Sequence, residues 1–380
     1  MSILNEEQES LRKVVADFAA QEIAPKAAEW DEKEEFPWEN IHKMAGLGLM
    51  GMPVPEELGG AGTDTVTYIS AIEEISKADA STGAIMAVHT STGIMPILYN
   101  GTNEQKKKYI PDLAMGKKIG AFALTEPNAG SDAAGVQTTA LLNGDEYILN
   151  GSKCFITNGG EADIYTVLAS TDKSQGTKGI TAFIVEKGIP GFSFGKKEHK
   201  LGIRASETRE LIFQDCHIPK ENILGVEGKG FSSAMVVLDG ARIGIASQAV
   251  GIAQAAYEAA LEYSKIRVQF GKPIGKQQVI SFMLADMAVQ IEAARQLVRH
   301  AAELKDRGFS FSKEAAMAKT FASDIAVKIA LDAIQILGGY GYTREYPVER
   351  YLRDAKITQI YEGTNQIQRL VISRSILGKF

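Results

Sequence analysis

Cysteine is scarce in this chain: Cys154 and Cys216 are the only two, they lack C-x-x-C spacing, and the five histidines do not join them at metal-ligand spacings. Neither a disulfide framework nor a bound metal is expected. Basic stripes are missing as well. The formal net charge is -6, from 41 Lys+Arg against 47 Asp+Glu, which leaves no electrostatic footprint for a nucleic acid. No run of about 18 apolar residues occurs, so no membrane span is expected. Residues 1–30 mix Glu6, Glu7, Glu9 and Asp17 into an amphipathic helical pattern, unlike the apolar core of a secretion signal or an acid-poor transit peptide. The expected location is cytoplasmic. No internal repeat of about 20–50 residues and no low-complexity linker is present, which excludes a solenoid.

What is abundant is material for burial. With 45% hydrophobic residues in 380, the chain exceeds one ordinary core and can fill two or three packed subregions. From residue 5 to about 113 apolar residues recur at helical spacing, as in Leu11, Val14, Val15, Phe18 and Ile23, then Ile41, Met44, Leu47 and Met50. The breaker-rich loop P-V-P-E-E-L-G-G-A-G-T-D at 53–64 interrupts them, and its Thr63 or Asp64 can cap the next helix. Near Gly116 short β-branched or alternating runs take over, at 119–124, 137–142, 147–149, 164–169, 180–185 and 210–213. The turns between them, N-G-D-E at 143–146 and D-K-S-Q-G at 172–176, suit antiparallel strands better than βαβ crossovers. After G-V-E-G-K-G at 225–230, Ala-rich helical periodicity covers 231–266, 276–307 and 312–337, lengths that fit an antiparallel bundle. The expected fold is mainly α with a central small antiparallel β domain: a helical domain over 1–115, a β-barrel-like domain over 116–226, and a four-helix-bundle domain over 227–380.

The stretch I-Y-E-G-T-N-Q at 360–366 carries the clearest candidate chemistry. Glu362 is a candidate base. A carboxylate with an ordinary pKa of about 4.3 removes a carbon-bound proton only if burial raises its basicity and the substrate is acidified in place. Gly363 lets a backbone N–H approach a carbonyl, and Thr364, Asn365 and Gln366 can hydrogen-bond an extended cofactor or thioester. On residue type alone, a surface glutamate in a turn before a final helix is the simpler reading. Four further motifs stand apart: A-F-A-L-T-E-P-N-A-G-S-D at 121–132, N-G-S-K-C-F-I-T-N-G-G at 150–160, D-G-A-R at 239–242 and R-V-Q-F-G-K-P-I at 267–274. A fifth, Q-I-L-G-G at 335–339, reads most simply as a helix C-cap, and Asp239 with Arg242 as a local helical ion pair.

Together and in this order, the motifs resemble the acyl-CoA dehydrogenase family of flavoproteins over the whole chain, most nearly its bacterial short-chain, butyryl-CoA-type members. The resemblance implies FAD. Phe122, Leu124 and Thr125 would face the isoalloxazine, and Gly130 and Ser131 would approach the pyrophosphate and the thioester arm. Phe155, Ile156 and Thr157 would flank the flavin, with strand alternation putting Phe155 and Thr157 on one face. Many relatives carry Trp at the position of Phe155. Cys154, on the opposite face, reads as a buried small hydrophobe. Arg267, Phe270 and Gln278, with Gln277 as a further polar contact, would reach the flavin together with Gln335, Gly338 and Gly339 from a neighbouring subunit, which implies a homo-oligomer, usually a tetramer. Thr364 and Gln366 would complete the cofactor contacts. Ser131, Asp239, Arg242 and Gly363 would hold the acyl-CoA.

Some relatives place the base just before this arginine; here that residue is Ala241, so Glu362 is the implied base. The implied activity is FAD-dependent α,β-dehydrogenation of a short-chain acyl-CoA to the trans-2-enoyl-CoA, or its reverse, with electrons exchanged with electron-transfer flavoprotein. An enoyl-CoA or aryl-propenoyl-CoA reductase in a flavoprotein complex, and an acyl-CoA oxidase, are the alternatives. Residues 86–94 are expected to floor the acyl pocket. His89 among them reads as a packing residue or, less simply, a substrate contact. No arginine lies between residues 81 and 98, which speaks against a dicarboxylyl substrate.

Overall fold

Asn5 opens the first helix with a capping box: it accepts from the Gln8 N–H at 2.8 Å, and Gln8 accepts from the Asn5 N–H at 3.1 Å. The computed structural model describes residues 4–378. Among the described residues the N-terminal region holds seven α-helices, α1 Glu6–Phe18, α2 Ala27–Lys33, α3 Trp38–Gly46, α4 Thr65–Ala78, α5 Ala80–Val88, α6 Met95–Asn100 and α7 Asn103–Ala114, with short 3-10 and π-helical segments between some of them. Asp64 caps α4 as expected, accepting from the Thr67 N–H at 2.7 Å. A second cap comes from far along the chain. The Asp306 carboxylate accepts from the Thr65 N–H at 2.8 and 3.0 Å and from the Val66 N–H at 3.2 Å.

The chain then forms β1 Gly120–Ala123, β2 Thr139–Asn143, β3 Glu146–Thr157, β4 Ile164–Ser170, β5 Ile180–Glu186, β6 Phe192–Lys197 and β7 Thr208–Pro219. They make one sheet in the order β1-β4-β2-β3-β7-β6, with β5 also paired to β4. The turn at 143–146 closes an antiparallel hairpin at the pair Asn143 and Glu146, and β4 and β5 are antiparallel as their turn suggests. The sheet is nevertheless mixed. β1 runs parallel to β4, from Gly120 opposite Ile164 to Ala123 opposite Val167, because the chain crosses β2 and β3 before it returns beside β1. Strand β6 was not expected, and β3 and β7 extend well beyond their short apolar runs, pairing with each other through two register shifts.

The last region holds α8 Gly230–Ile266, a small hairpin of β8 Val268–Gln269 and β9 Lys272–Pro273, then α9 Gln278–Asp306, α10 Ser312–Leu337, α11 Val348–Thr358 and α12 Asn365–Leu377. The three long helices match the expected ones closely. α8 is long and apolar enough to cross a membrane by length and composition, but 72% of its most apolar window is buried, as in a core helix. It is covered by α4, α5, α9, α10 and α11. Ser247 on α8 donates to the Ile69 carbonyl of α4 at 2.6 Å, which joins the first and last regions through a buried bond. His89 joins α7 to the sheet in the same way. Its Nδ1 accepts from the Gly120 N–H at 3.0 Å and its Nε2 lies 3.0 Å from the Leu113 carbonyl. Burial lowers its pKa to about 4, so the ring is neutral and fully used in packing.

Candidate active site

The glutamate turn is built between two helices. After α11 the Ile360 and Tyr361 N–H groups fold back onto the Ile357 carbonyl at 2.8 and 3.1 Å, and the chain must then reverse before α12. It does so through two left-handed residues, Glu362 at φ +53° and Gly363 at φ +90°. The positive φ favours glycine at 363, and a Cβ there would also stand 2.8 Å from Gln368 Nε2 and displace that side chain. For Glu362 the conformation costs about 1–2 kcal/mol, which surrounding bonds must offset. Arg242 Nε donates to the Glu362 carbonyl at 3.3 Å, Gln368 Nε2 donates to it at 3.1 Å and to the Gly363 carbonyl at 2.9 Å, and Lys319 Nζ donates to the Gly363 carbonyl at 2.8 Å.

The bonds hold the backbone and leave the functional groups of Glu362 free. Among the described residues, its carboxylate accepts no hydrogen bond and its N–H finds no acceptor. Loss of water around the carboxyl pushes its pKa up to about 7, against the opposing pull of Arg242 and Lys319. Beside it the Tyr361 hydroxyl donates to Gln248 Oε1 on α8. Arg242 is buried and ion-paired with Asp239, so the local pair expected from their spacing is present, and the arginine also reaches the Glu362 carbonyl.

A second group forms on the sheet. Phe122 is half-buried on β1 and Leu124 is buried, while Gly130 and Ser131 are exposed beyond them. The Cys154 N–H donates to the Thr125 carbonyl at 2.9 Å, which lays the first motif along the second. Strand alternation breaks here. Lys153 and Ile156 both point inward across a bulge, and Phe155 takes φ +56° with 65% of its surface exposed. Phe155 is exposed and Thr157 half-buried, on either side of the buried Ile156. Cys154 is half-buried, a correction to the expectation of a buried residue, because the bulge turns it partly outward. Beneath the bulge lies a pair that the sequence reading did not identify: Lys153 Nζ donates to Glu126 Oε1 at 2.7 Å and to the Leu124 carbonyl at 3.2 Å.

A third group lines a cleft of Tyr263, Arg267, Gln269, Gly338, Gly339 and Tyr340. Gly338 ends α10 at φ 61°, ψ -133°, a conformation open to glycine, and a Cβ on Gly339 would meet nothing within 4 Å. Phe270 and Gly271 form the two-residue turn of the β8–β9 hairpin, both at positive φ, with Phe270 93% exposed. Gln278 and Gln335 are exposed and Gln277 is half-buried. Thr364 and Gln366 line a different cleft, with Asp324, Gln359 and Arg369, where Thr364 also caps α12. The two clefts share no lining residue, so one chain does not bring all the expected cofactor residues together.

Two narrow crevices run along α8 and meet at Val237. One is lined by Tyr68, Ser91, Met95, Gly240 and Gly244, the other by Phe122, Thr166, Leu168 and Ala234. From the stretch 86–94, Thr90 and Ser91 reach the first crevice, and Met86 is buried in the core.

Family models match almost the full length: the acyl-CoA dehydrogenase N-terminal domain over residues 5–117, the middle domain over 121–216 and the C-terminal domain over 228–377. The chain belongs to the acyl-CoA dehydrogenase family. This acyl-CoA dehydrogenase family member is 60% identical over 375 residues to the acyl-CoA dehydrogenase of Bacillus subtilis, covering 99% of each chain. It is similar to the solved butyryl-CoA dehydrogenase of Megasphaera elsdenii, at 53% identity and a TM-score of 0.97 over 99% of this chain and 100% of that one. A chain solved in work on the electron transferring flavoprotein of Acidaminococcus fermentans is similar at 56% identity and a TM-score of 0.98, over 100% of both chains.

Proposed function

We propose that this protein uses Glu362 to remove the α-proton of a short-chain acyl-CoA, forming the trans-2-enoyl-CoA, and that the same site runs in reverse. The observation that carries this reading is the Glu362 turn: a carboxylate that accepts no hydrogen bond among the described residues, raised to a pKa of about 7, on a backbone whose own N–H meets no acceptor among them. A neutral pKa makes the ionised carboxylate a far stronger base than an exposed glutamate and keeps it available near pH 7. The free Glu362 N–H serves as a donor to the thioester carbonyl, which acidifies the α-carbon. Both groups come from one residue, so the polariser and the base are held in fixed relation.

FAD is the cofactor in this reading, and the residues present fit it. Phe155 and Phe270 are exposed aromatic rings on left-handed backbone, a strained arrangement that a planar partner explains. Gly338 and Gly339 leave room for close approach, and Arg267 offers its guanidinium from the same cleft to a pyrophosphate. Phe122, Leu124, Thr125, Gly130, Ser131, Phe155, Ile156 and Thr157 would hold the ring system and its chain, with Thr364, Gln366, Gln277, Gln278 and Gln335 as further contacts. Bound there, FAD would supply the acceptor for the hydride that leaves the β-carbon as Glu362 takes the α-proton. That Thr364 and Gln366 line a different cleft from Arg267, Gly338 and Gly339 supports a shared site in a homo-oligomer, which we take to be a tetramer. Asp239, Arg242, Ser131 and Gly363 are assigned to the acyl-CoA, and electron-transfer flavoprotein to the onward electrons. A cytoplasmic setting belongs to the same reading.

The test is the visible spectrum of the purified protein before and after butyryl-CoA is added without oxygen. Bleaching of a bound flavin is the expected result. A flavin band that stays unchanged with butyryl-CoA would end the short-chain assignment, and failure to take up FAD at all would end the flavoprotein one.

A further inference from the structure

Lys319 is fully buried on α10, and no step proposed above uses it. Its ammonium donates to the Gly363 carbonyl at 2.8 Å and to Asn365 Oδ1 at 2.9 Å, so it grips the residue after the base and the first residue of α12 together. Asn365 is itself fixed, since its Nδ2 donates to Ser323 Oγ at 2.8 Å and to Asp324 Oδ1 at 2.7 Å. Among the described residues Lys319 has no salt bridge. A buried ammonium without one is a costly arrangement, and packing alone would be served as well by an apolar chain of similar length.

The charges that face this point come from three elements. Glu362 stands in the turn itself, Arg242 with its partner Asp239 on α8, and Asp324 on α10 beside Lys319. Burial is the main force lowering the Lys319 pKa, to about 7; Glu362 opposes it, Arg242 adds to it, and Asp324 opposes it. Lys319 and Arg242 in turn favour the ionised form of Glu362.

We propose that Lys319 is a positioning residue for the reaction: it clamps the left-handed Glu362–Gly363 turn from inside the helical bundle, and its charge, while the amine is protonated, favours the form of the Glu362 carboxylate that takes a proton. The proposal rests on the reading of Glu362 as the base. It assigns to the buried lysine both halves of the preparation of that base, its place and its charge.

Two variants separate these halves in the holoenzyme. Lys319→Gln retains a hydrogen-bond donor and removes the charge, whereas Lys319→Met removes both. Two readouts are taken: the rate of flavin reduction by butyryl-CoA against pH, in anaerobic stopped flow, and the infrared titration of the Glu362 carboxyl, its band identified by its loss in Glu362→Gln. In both variants the carboxyl should titrate about one pH unit higher than in the wild type. The midpoint of the rate profile should move with it. Lys319→Met should also lose about tenfold or more in maximal rate relative to Lys319→Gln, because the turn is no longer held in place.

The infrared titration does not depend on which acyl-CoA reacts. A wild type that butyryl-CoA does not reduce, with the carboxyl shift still present, defeats the short-chain reading and leaves the charge role of Lys319 standing. An unchanged carboxyl titration in both variants overturns the role of the lysine charge, and a maximal rate for Lys319→Met equal to that of Lys319→Gln overturns the clamp. If neither variant retains flavin, Lys319 serves only the fold, and the proposal falls as well.

Discussion

Lys153 and Glu126 form an ion pair at 2.7 Å with both side chains buried, and it fastens the strand of Phe155 and Thr157 to the segment of Leu124 and Thr125. Glu126 is satisfied further by the Gln137 N–H at 2.6 Å and the Thr138 N–H at 3.0 Å. Removing one partner strands the other in a dry interior. Glu126→Ala should therefore lose about 3–5 kcal/mol and release flavin, whereas Glu126→Leu combined with Lys153→Met should lose far less. Thermal unfolding of the two, with flavin fluorescence as a second probe, checks this. Equal destabilisation would show that the pair is not the cause.

Glu362 yields a prediction with a definite sign in pH. Its carboxyl rises from an ordinary 4.5 to about 7 in the folded protein. Between those values the folded state keeps a proton that the unfolded chain has released, so stability falls as pH rises across the window. Above pH 7 the folded state carries the full cost, about 2 kcal/mol after allowance for the partial exposure of the residue. Glu362→Gln should match the wild type near pH 4 and melt higher at pH 8. Its turnover should drop by about 10²–10⁴-fold, and wild-type kcat/KM should rise with pH through about 7. A melting curve for Glu362→Gln that follows the wild type at every pH would contradict the raised carboxyl.

Phe155 presents an exposed ring on left-handed backbone. Asparagine tolerates that backbone, so Phe155→Asn should leave apoprotein stability within about 0.5 kcal/mol. Flavin binding should weaken by about 1 kcal/mol, roughly fivefold in Kd. Titration of apoprotein with FAD measures it, and an unchanged Kd would remove Phe155 from the cofactor site.

Asp306 accepts from two N–H groups at the start of α4. Asp306→Ala should cost about 1–2 kcal/mol, and Asp306→Asn less. The urea midpoint reports the loss, and the flavin spectrum should not change.

Legibility in the sequence followed the range of the forces involved. The long helices α8, α9 and α10 were readable because apolar periodicity is a local property, and the turn at 143–146 announced its hairpin for the same reason. The parallel pairing of β1 with β4 was not readable, since it joins Gly120 to Ile164 across two intervening strands. β6 escaped because the pattern F-S-F-G-K-K loses its alternation at Gly195. In the site, the Glu362 turn carried its own signal in the E-G pair, whereas its anchors sit elsewhere. Lys319 lies in the run A-M-A-K-T-F-A, where a single lysine among alanines on a buried helix face was the available clue. Lys153 offered a similar one, a charge at an inward position of a strand, but the bulge at Phe155 hides that phase.

The reach of Asp306 across the molecule has a meaning for the newborn protein. The bond from Thr65 to Asp306 spans 241 residues, so the first turn of α4 stays uncapped on that side until most of the message has been translated. Ser247 makes a similar claim on Ile69 over 178 residues. At the ribosome the opening third of the chain must wait, with α4 and α5 still lacking the long helix that covers them. Such late closure favours shelter by a chaperone over folding piece by piece as the chain emerges.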